Sequence, residues 1–366
     1  MLPIAERIEF QLSEMEKVEQ FSRAGSLRRL SETVRDLDFI IATTEPKRVG
    51  EQLVSLTNVS KIIAQGETKV SVEITEEVPV SVDFRLVTAA EFATTLHHFT
   101  GSKDHNVLMR QLAKARGEKI SEYGVENLES SQVTTFKSEA DFFEHFQLPF
   151  IPAEARENQD ELEWFKQDAS YLKSEMIRGD LHLHTTWSDG AHSIEEMAEA
   201  ARAKGYHYIA VTDHSKYLRV ANGLDEERLK RQHERIRQIN ESYDDFEILT
   251  GIEMDILPDG TLDFSDEILA DVDFVIASIH SAFTQKQEVI MERLSNALSN
   301  RHVDLIAHPT GRLLGRRPGY AIDVERLIEL AKESETALEL NANPNRLDLS
   351  AYWLKKGSAG RCKASD

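Results

Sequence analysis

The sequence predicts two units of different class in one chain: a mixed α+β unit first, then an α/β unit whose parallel strands close into a barrel. Three observations carry this. The first part holds strand-like runs such as "DLDFIIAT" and "KVSVEI" flanked by helical patterns, whereas the second repeats strand and then helix. Almost every strand of the second part also ends in His, Asp or Glu. Parallel barrels assemble their sites at the C-terminal ends of their strands, so this placement speaks to function as well as to fold.

Composition narrows the classes. A chain of 366 residues can bury two or three cores, and 40% hydrophobic with 29% charged residues describes an ordinary soluble protein. No apolar run reaches the roughly 18 residues of a membrane span. The opening "MLPIAERIEF" lacks the basic-then-apolar layout of a secretory leader. A single cysteine, Cys362, excludes an internal disulfide framework and points to a reducing cytoplasm. The net charge of −21 argues against a surface coated for nucleic acid, though it leaves room for a local basic groove and fits sites that collect divalent cations.

In the first part, apolar spacing predicts a helix over 3–20, strands in "DLDFIIAT", "KVSVEI" and "VPVSVDFRLV", and helices at 46–56, 88–98 and 104–116. A turn at Gly25 and Ser26 precedes a helical turn with Arg28 and Arg29; Asp36 and Asp38 then alternate along a strand, which puts both carboxylates on one face. Asp83 can join them from a neighbouring strand. Three such carboxylates are hard oxygen ligands suited to two Mg²⁺ ions about 4 Å apart. Backbone amides of the Gly-Ser turn and Arg29 could hold a triphosphate above them. Taken alone, D-x-D also describes the solvent face of an edge strand; its coupling to G-S-x-R-R upstream favours the metal reading.

That G-S-x-x-R and D-x-D pattern resembles the nucleotidyltransferase palm, and "HHFTGSKDHNVLMRQLAKARGEKISEYGV" at 97–125 is similar to the nucleotide-clasping segment of family X DNA polymerases. The resemblance runs over about residues 1–157. It implies that Asp36, Asp38 and Asp83 hold the catalytic metals, with Asp83 accepting the primer hydroxyl proton. It implies triphosphate contacts at Gly25, Ser26 and Arg29, sugar packing at Phe99 and Gly101, a minor-groove contact at Asn106 and template monitoring at Arg110. His98 stands where relatives often carry tyrosine, Lys103 where some carry an acid, and Arg35 where a small residue is usual.

A stretch with two prolines and dense acids, "LPFIPAEARENQDELEW", reads as a surface linker into the second part. There strands are predicted in "GDLHLH", "YHYIAVTDH", "FEILTGIE", "VDFVIASIH", "HVDLIAHP" and "TALELNANP", with helices at 193–204, 224–242, 285–299 and 322–333. His182 and His184, two apart on a strand, face one cavity together, and Asp189 lies on the following turn. His214, Glu253, His280 and His308 end the next strands. Imidazole and carboxylate together suit Zn²⁺, Mn²⁺ or Fe²⁺, and more than four ligands suggest a cluster. One such histidine alone would be read as a hydrogen-bonded structural residue; the set is not. His192, His207, His233 and His302 are assigned to surface or packing, while Asp213 stays ambiguous, with one role open to it being to orient a ligand.

The successive segments "DLHLHTTWSDG", "VTDHS", "GIEMDI", "IASIHS" and "IAHP" resemble the motifs of the PHP (polymerase and histidinol phosphatase) domain over residues 177–345. This implies a distorted seven-stranded barrel that holds up to three metals, hydrolyses phosphoesters and uses His182, His184, Asp189, His214, Glu253, His280 and His308 as ligands. The family's last strand supplies an Asp-x-His pair, whereas here "WLKKG" is followed by "SAGRCKASD"; the barrel is therefore expected to be incomplete at its C-terminus, with an open edge.

The expected organisation is a palm with its clasping segment at 1–125, a C-terminal polymerase subdomain at 126–157, a linker at 158–176, a partial PHP barrel at 177–350 and an atypical tail at 351–366. The fold expected is thus an α+β nucleotidyltransferase palm followed by an α/β distorted (β/α)7 PHP barrel. Palm followed by PHP domain is the order of bacterial and archaeal family X polymerases, so the resemblance implies nucleotidyl transfer to a 3′ hydroxyl in gap-filling DNA repair, with a Mn²⁺-dependent 3′–5′ exonuclease site. The implied partners are a DNA primer-template and a dNTP, with Mg²⁺ at the palm, Mn²⁺ or Zn²⁺ (or Fe²⁺) at the PHP site, and a cytoplasmic place. Because helix-hairpin-helix domains precede the palm in that family, the chain is expected to be cut short at both ends. Two other readings stay open: a phosphatase acting on a small phosphoester, and a module that binds without turnover.

Overall fold

In a computed structural model the described residues are 1–76, 78–157, 161–167, 173–358 and 364–365. The chain divides into two units, Met1–Tyr171 and Leu172–Asp366.

The first unit opens with α1 (Leu2–Ser13), which has a proline in its first turn and buries Ile4, Ala5, Ile8 and Leu12 at three- and four-residue spacing. The sequence carried this helix to residue 20; instead the chain turns, and β1 (Gln20–Arg23) follows. Met15 and Val18 pack against the same core from the turn, so the apolar spacing outlives the helix. Next come α2 (Gly25–Arg28), β2 (Leu37–Ala42), α3 (Pro46–Leu53), β3 (Val59–Gln65), β4 (Lys69–Thr75) and β5 (Pro79–Val87). They form a sheet of order β1-β2-β5-β4-β3 in which the central pair β2 and β5 is parallel and the other pairs are antiparallel. Leu37, Phe39 and Ile41 enter the main core with Val70, Val82 and Phe84, and the rings of Phe39 and Phe84 stack at 5.6 Å. The alternate residues Ile40 and Ala42 pack on the other side with Ala24, Phe92 and Leu96. Asp38 belongs to this second face, near the strand's beginning, where the apolar cover has not started.

Beyond the sheet lie α4 (Phe92–Thr100), α5 (Lys103–Ala115), a three-stranded sheet of β6 (Glu118–Ser121), β7 (Gly124–Asn127) and β8 (Val133–Thr134), then α6 (Glu139–His145) and α7 (Glu161–Gln167). The helix expected from residue 88 begins at 92 because the amide and hydroxyl of Thr88 both donate to Glu91 Oε2, at 3.0 and 2.8 Å, and hold residues 88–91 in a turn. Phe142, Phe143 and Phe146 of this region pack on Met109 and Ile151.

In the second unit seven strands alternate with helices. They are β9 (Gly179–Leu183), α8 (Ile194–Ala203), β10 (Tyr208–Val211), α9 (Glu226–Asn240), β11 (Glu247–Asp255), α10 (Asp266–Leu269), β12 (Phe274–Ser278), α11 (Gln287–Leu298), β13 (Leu305–Ile306), α12 (Val324–Ser334), β14 (Ala337–Glu339), α13 (Ala351–Ser358) and β15 (Ala364–Ser365). Every pairing is parallel and the order is sequential, β9 to β15, as a curled α/β sheet requires. Two features differ from expectation: the tail forms α13, and Ala364–Ser365 pairs with β14 where no strand was read. Pairing at a sheet edge uses backbone groups alone, so two residues can join without any apolar pattern. The sheet still has two edges, β9 and β15. Among the described residues no helix is long and apolar enough to cross a membrane.

Candidate metal and nucleotide sites

Glu253 lies at the centre of the second unit's site. It is 1% exposed on β11, and five imidazoles surround its carboxylate. His182, His184 and His214 approach Oε2 at 3.3, 3.4 and 2.9 Å, and His280 and His308 approach Oε1 at 3.3 and 3.0 Å. Strand geometry explains the convergence. His182 lies on β9, His184 follows it, and His214, His280 and His308 follow β10, β12 and β13, all on the C-terminal side of one parallel sheet. Asp189 closes the rim, 3.3 Å from His184 Nδ1 and 3.7 Å from His214 Nε2.

The turn that returns Asp189 to the rim is built by Asp213. This fully buried carboxylate accepts hydrogen bonds from the amide and hydroxyl of Thr185 (2.8 and 2.6 Å), the amide of Ser188 (3.2 Å) and Gln232 Nε2 (2.5 Å). All but Gln232 of α9 are turn residues, so Asp213 shapes the loop that carries Asp189. Gly190 completes that turn: a Cβ there would fall 2.4 Å from the carbonyl oxygen of His184. The "SDG" of the sequence is therefore fixed by close backbone approach.

Two carboxylates escaped the sequence reading. Glu339, at the end of β14, sits 2.6 Å from His182 Nδ1 and accepts the His308 amide at 2.5 Å. Asp255, fully buried at the end of β11, lies 3.3 Å from His280 Nδ1. The strand-end rule that found the other residues applies to both. Of the histidines set aside, His233 is buried with Nε2 3.3 Å from the Gly251 carbonyl, and His192 is exposed near Glu196.

The electrostatics follow from one buried anion among imidazoles. Burial works against its ionisation, yet His280 and His182 hold Glu253 well below the usual carboxylate range. Burial likewise opposes charge on His280, but Glu253 and Asp255 lift it to about 10. His308, enclosed on all sides, is pushed down by burial. Protons on such imidazoles do the work that a cation would do, and metal binding would displace them.

The donor set fits a divalent cluster. His182, His184 and Glu253, then His184, Asp189 and His214, then His214, Glu253 and His280, each bring three ligand atoms within 4.8 Å of one another. The Nδ1 atom of His308 is buried without a hydrogen-bond partner. Nitrogen and oxygen donors in this proportion suit Zn²⁺, Mn²⁺ or Fe²⁺. The ligands other than Asp189 line a cavity of about 490 Å³ that also includes Tyr206, Asn341, Asn343 and Arg346.

The first unit carries the acidic constellation. Asp38 and Asp83 are paired residues on the parallel strands β2 and β5, and Asp36 precedes β2 with its side chain exposed. Burial first, then the neighbouring Asp36 and Asp83, raise Asp38 to about 6 against the pull of Lys69 and Arg85. Asp83 Oδ2 is 2.7 Å from Lys69 Nζ. Among the described residues the three aspartates do not form a group with all oxygens within 4.8 Å. Gly25, with φ +61°, lies against the Asp38 carboxylate: a Cβ there would meet Oδ2 at 2.4 Å. Adjacent acids of this kind suit Mg²⁺, which takes one or two carboxylates and completes its shell from substrate phosphates.

The clasping segment lies beside this constellation. Arg29 donates to the Thr100 carbonyl (2.6 Å) and to Glu157 Oε1 (2.7 Å), while Gly101 takes φ +72° with Arg29 Nη1 3.3 Å from where its Cβ would be. Phe99 lies under Arg85, 4.5 Å from guanidinium carbon to ring centre. Asn106 Nδ2 donates to the His98 carbonyl at 2.7 Å, Ser26 is half-buried and Arg110 is exposed. Below them Glu139 binds two guanidinium groups, Arg28 (3.1 and 2.5 Å) and the fully buried Arg156 (2.5 Å). A buried chain of His97, His105 and Glu161 runs alongside, with contacts of 3.2 and 3.0 Å. Neither network was read in the sequence.

The parallel sheet and its imidazole-ringed carboxylate define a PHP-domain protein, and the PHP domain family matches residues 180–343. The DNA polymerase beta thumb family matches residues 95–157, which takes in the clasping segment and the residues after it. A DNA polymerase/3′-5′ exonuclease PolX of Bacillus subtilis is 59% identical over 98% of this chain, and the chain spans 63% of that relative's length. A probable phosphatase of Acetivibrio thermocellus is 34% identical over 50% of this chain and 70% of its own length, and one of Shewanella loihica is 30% identical over 50% and 69%. The chain thus joins a DNA polymerase beta thumb segment to a PHP domain, and over nearly its whole length it is similar to a DNA polymerase/3′-5′ exonuclease.

Proposed function

We propose that the chain transfers nucleotides to a 3′ hydroxyl at its aspartate site and hydrolyses 3′-terminal phosphodiesters at its histidine site, in gap-filling DNA repair in the cytoplasm. What carries the reading is the coexistence in one chain of the Asp38–Asp83 pair behind a Gly-Ser turn and the Glu253 cluster. The B. subtilis relative, whose name joins the two activities, supports it.

In the polymerase reaction Asp36, Asp38 and Asp83 would hold two Mg²⁺, and Asp83 would take the proton of the attacking hydroxyl. Gly25 and Ser26 would offer backbone and hydroxyl donors to the triphosphate. Arg29, now shared between Thr100 and Glu157, would exchange the exposed Glu157 for phosphate. Phe99 and Gly101 would pack the sugar, Asn106 would read the base edge and Arg110 the template strand. In the hydrolytic site His182, His184, Asp189, His214, Glu253, His280 and His308 would hold Mn²⁺, with Zn²⁺ and Fe²⁺ as other occupants. Divalent cations supply Lewis acidity and neutralise charge on a phosphoryl group at both sites.

The probable phosphatases, matched over 188 residues at 34% identity, favour a second reading in which the histidine site acts on a small phosphomonoester. Primer extension and 3′-end degradation assayed on Asp83→Ala and His280→Ala separate the cases. The first variant should lose extension and keep degradation, and the second the reverse. Loss of both activities in either variant would refute two independent sites, and phosphate release from a small monoester without DNA degradation would favour the phosphatase.

A further inference from the structure

The loop after β14 presents to the histidine cavity a cation that no side chain among the described residues pairs with. Arg346 is the one Lys or Arg among the residues lining that cavity; the other charged or ionisable linings are Asp180, Glu253, Glu339, Tyr206 and the histidines. No carboxylate forms an ion pair with Arg346 among the described residues, and its Nη1 is buried with no hydrogen-bond partner. Another cation, Arg317, lies near it, and the charge on Arg317 is disfavoured first by burial and then by Arg346. A buried guanidinium nitrogen without an acceptor is costly, and an anion brought by a ligand would offset that cost.

The loop's own bonds hold the backbone of this arginine in place. Asn341 and Asp348 close it with paired backbone bonds of 2.5 and 3.2 Å. Arg312 Nε clamps the Arg346 carbonyl at 2.9 Å, and the Arg346 amide donates to the Asn343 carbonyl at 2.7 Å. Asn341 Nδ2 reaches Glu339 Oε2 at 3.2 Å, which ties the loop directly to the carboxylate beside His182. An arginine fork suits a phosphate, whose oxygens accept two parallel N–H bonds from one guanidinium, better than a lysine would. At about 490 Å³ the cavity falls in the range that accepts a nucleotide-sized ligand.

We infer that Arg346 is the phosphate-binding residue of the histidine cavity, gripping non-bridging oxygens of the substrate through its free guanidinium edge. The inference deepens the hydrolytic half of the proposed function and rests on that reading for its substrate class, a phosphate ester.

The test uses the full chain loaded with Mn²⁺ and titrated calorimetrically with inorganic phosphate, alongside hydrolysis of thymidine 5′-p-nitrophenyl phosphate. Arg346→Met should weaken phosphate binding roughly tenfold or more, with Mn²⁺ stoichiometry unchanged and the loss in hydrolysis appearing mainly in KM. Arg346→Lys keeps the charge and loses the fork; it should fall between the two, and it stands in should the Met variant fail to fold. Phosphate binding by both folded variants equal to that of the parent chain overturns the inference. A parent chain that binds phosphate but hydrolyses no diester overturns the proposed exonuclease while leaving the Arg346 assignment to be judged by phosphate binding alone.

Discussion

Glu339 stands between two cavity histidines: one oxygen lies 2.6 Å from His182 Nδ1 and the other accepts the His308 amide at 2.5 Å. It thereby fixes the ring that presents Nε2 toward Glu253. Carboxylates behind metal-binding imidazoles set the tautomer and raise basicity, and their loss typically costs about 10–100-fold in metal affinity. Glu339→Gln should therefore weaken Mn²⁺ binding by that order while the fold, read by circular dichroism, is kept. Unchanged affinity would make Glu339 a structural residue only.

Gly25 is the tightest contact of the aspartate site. Ala at this position would force a Cβ into φ +61° and to 2.4 Å from Asp38 Oδ2. The backbone strain alone costs about 1–3 kcal/mol, and the displaced carboxylate should lower nucleotide incorporation as well. Urea unfolding together with primer extension reads both effects; a variant normal in each would show that the turn can yield.

The raised Asp38 links stability to pH. Burial and the neighbouring acids hold it at about 6, above its usual 3.8. Between about pH 4 and pH 6 the folded chain binds more protons than the unfolded chain, so this group's contribution to stability falls as pH rises through that window and is flat above it. In EDTA, Asp38→Asn should raise the melting temperature at pH 8 and raise it less, or not at all, at pH 4. Equal gains at the two pH values would contradict the assignment.

Glu139 pairs with both Arg28 and the fully buried Arg156. Glu139→Ala leaves a buried cation without its partner, which typically costs about 3–5 kcal/mol. The expected result is a large loss in urea-unfolding free energy for the first unit; a loss below about 1 kcal/mol would show that water replaces the carboxylate.

Much of the second unit was legible because β strands bury apolar runs and expose their ends. Six of its seven strands were read, and the seven ligand-type residues picked out at strand ends all gather at one cavity rim or beside it. Glu339 ends its strand as the ligands do and was overlooked; what "LELN" does not show is its pairing with His182, which exists only in the tertiary contact. In the first unit β3 was missed for a different reason. Its residues are almost wholly exposed, Ile62 and Ile63 included, so no alternation of burial marks the strand. The Arg28–Glu139 pair joins residues 111 positions apart, a separation at which charge patterning carries no signal.

Both proposed activities need two distinct cation sites, one of acids and one mainly of imidazoles. Anomalous scattering at the manganese edge from Mn²⁺-soaked crystals measures this most directly. Peaks beside Asp38 and Asp83 and within the ring of histidines around Glu253 are the predicted result. A map with no peak at either place contradicts the account.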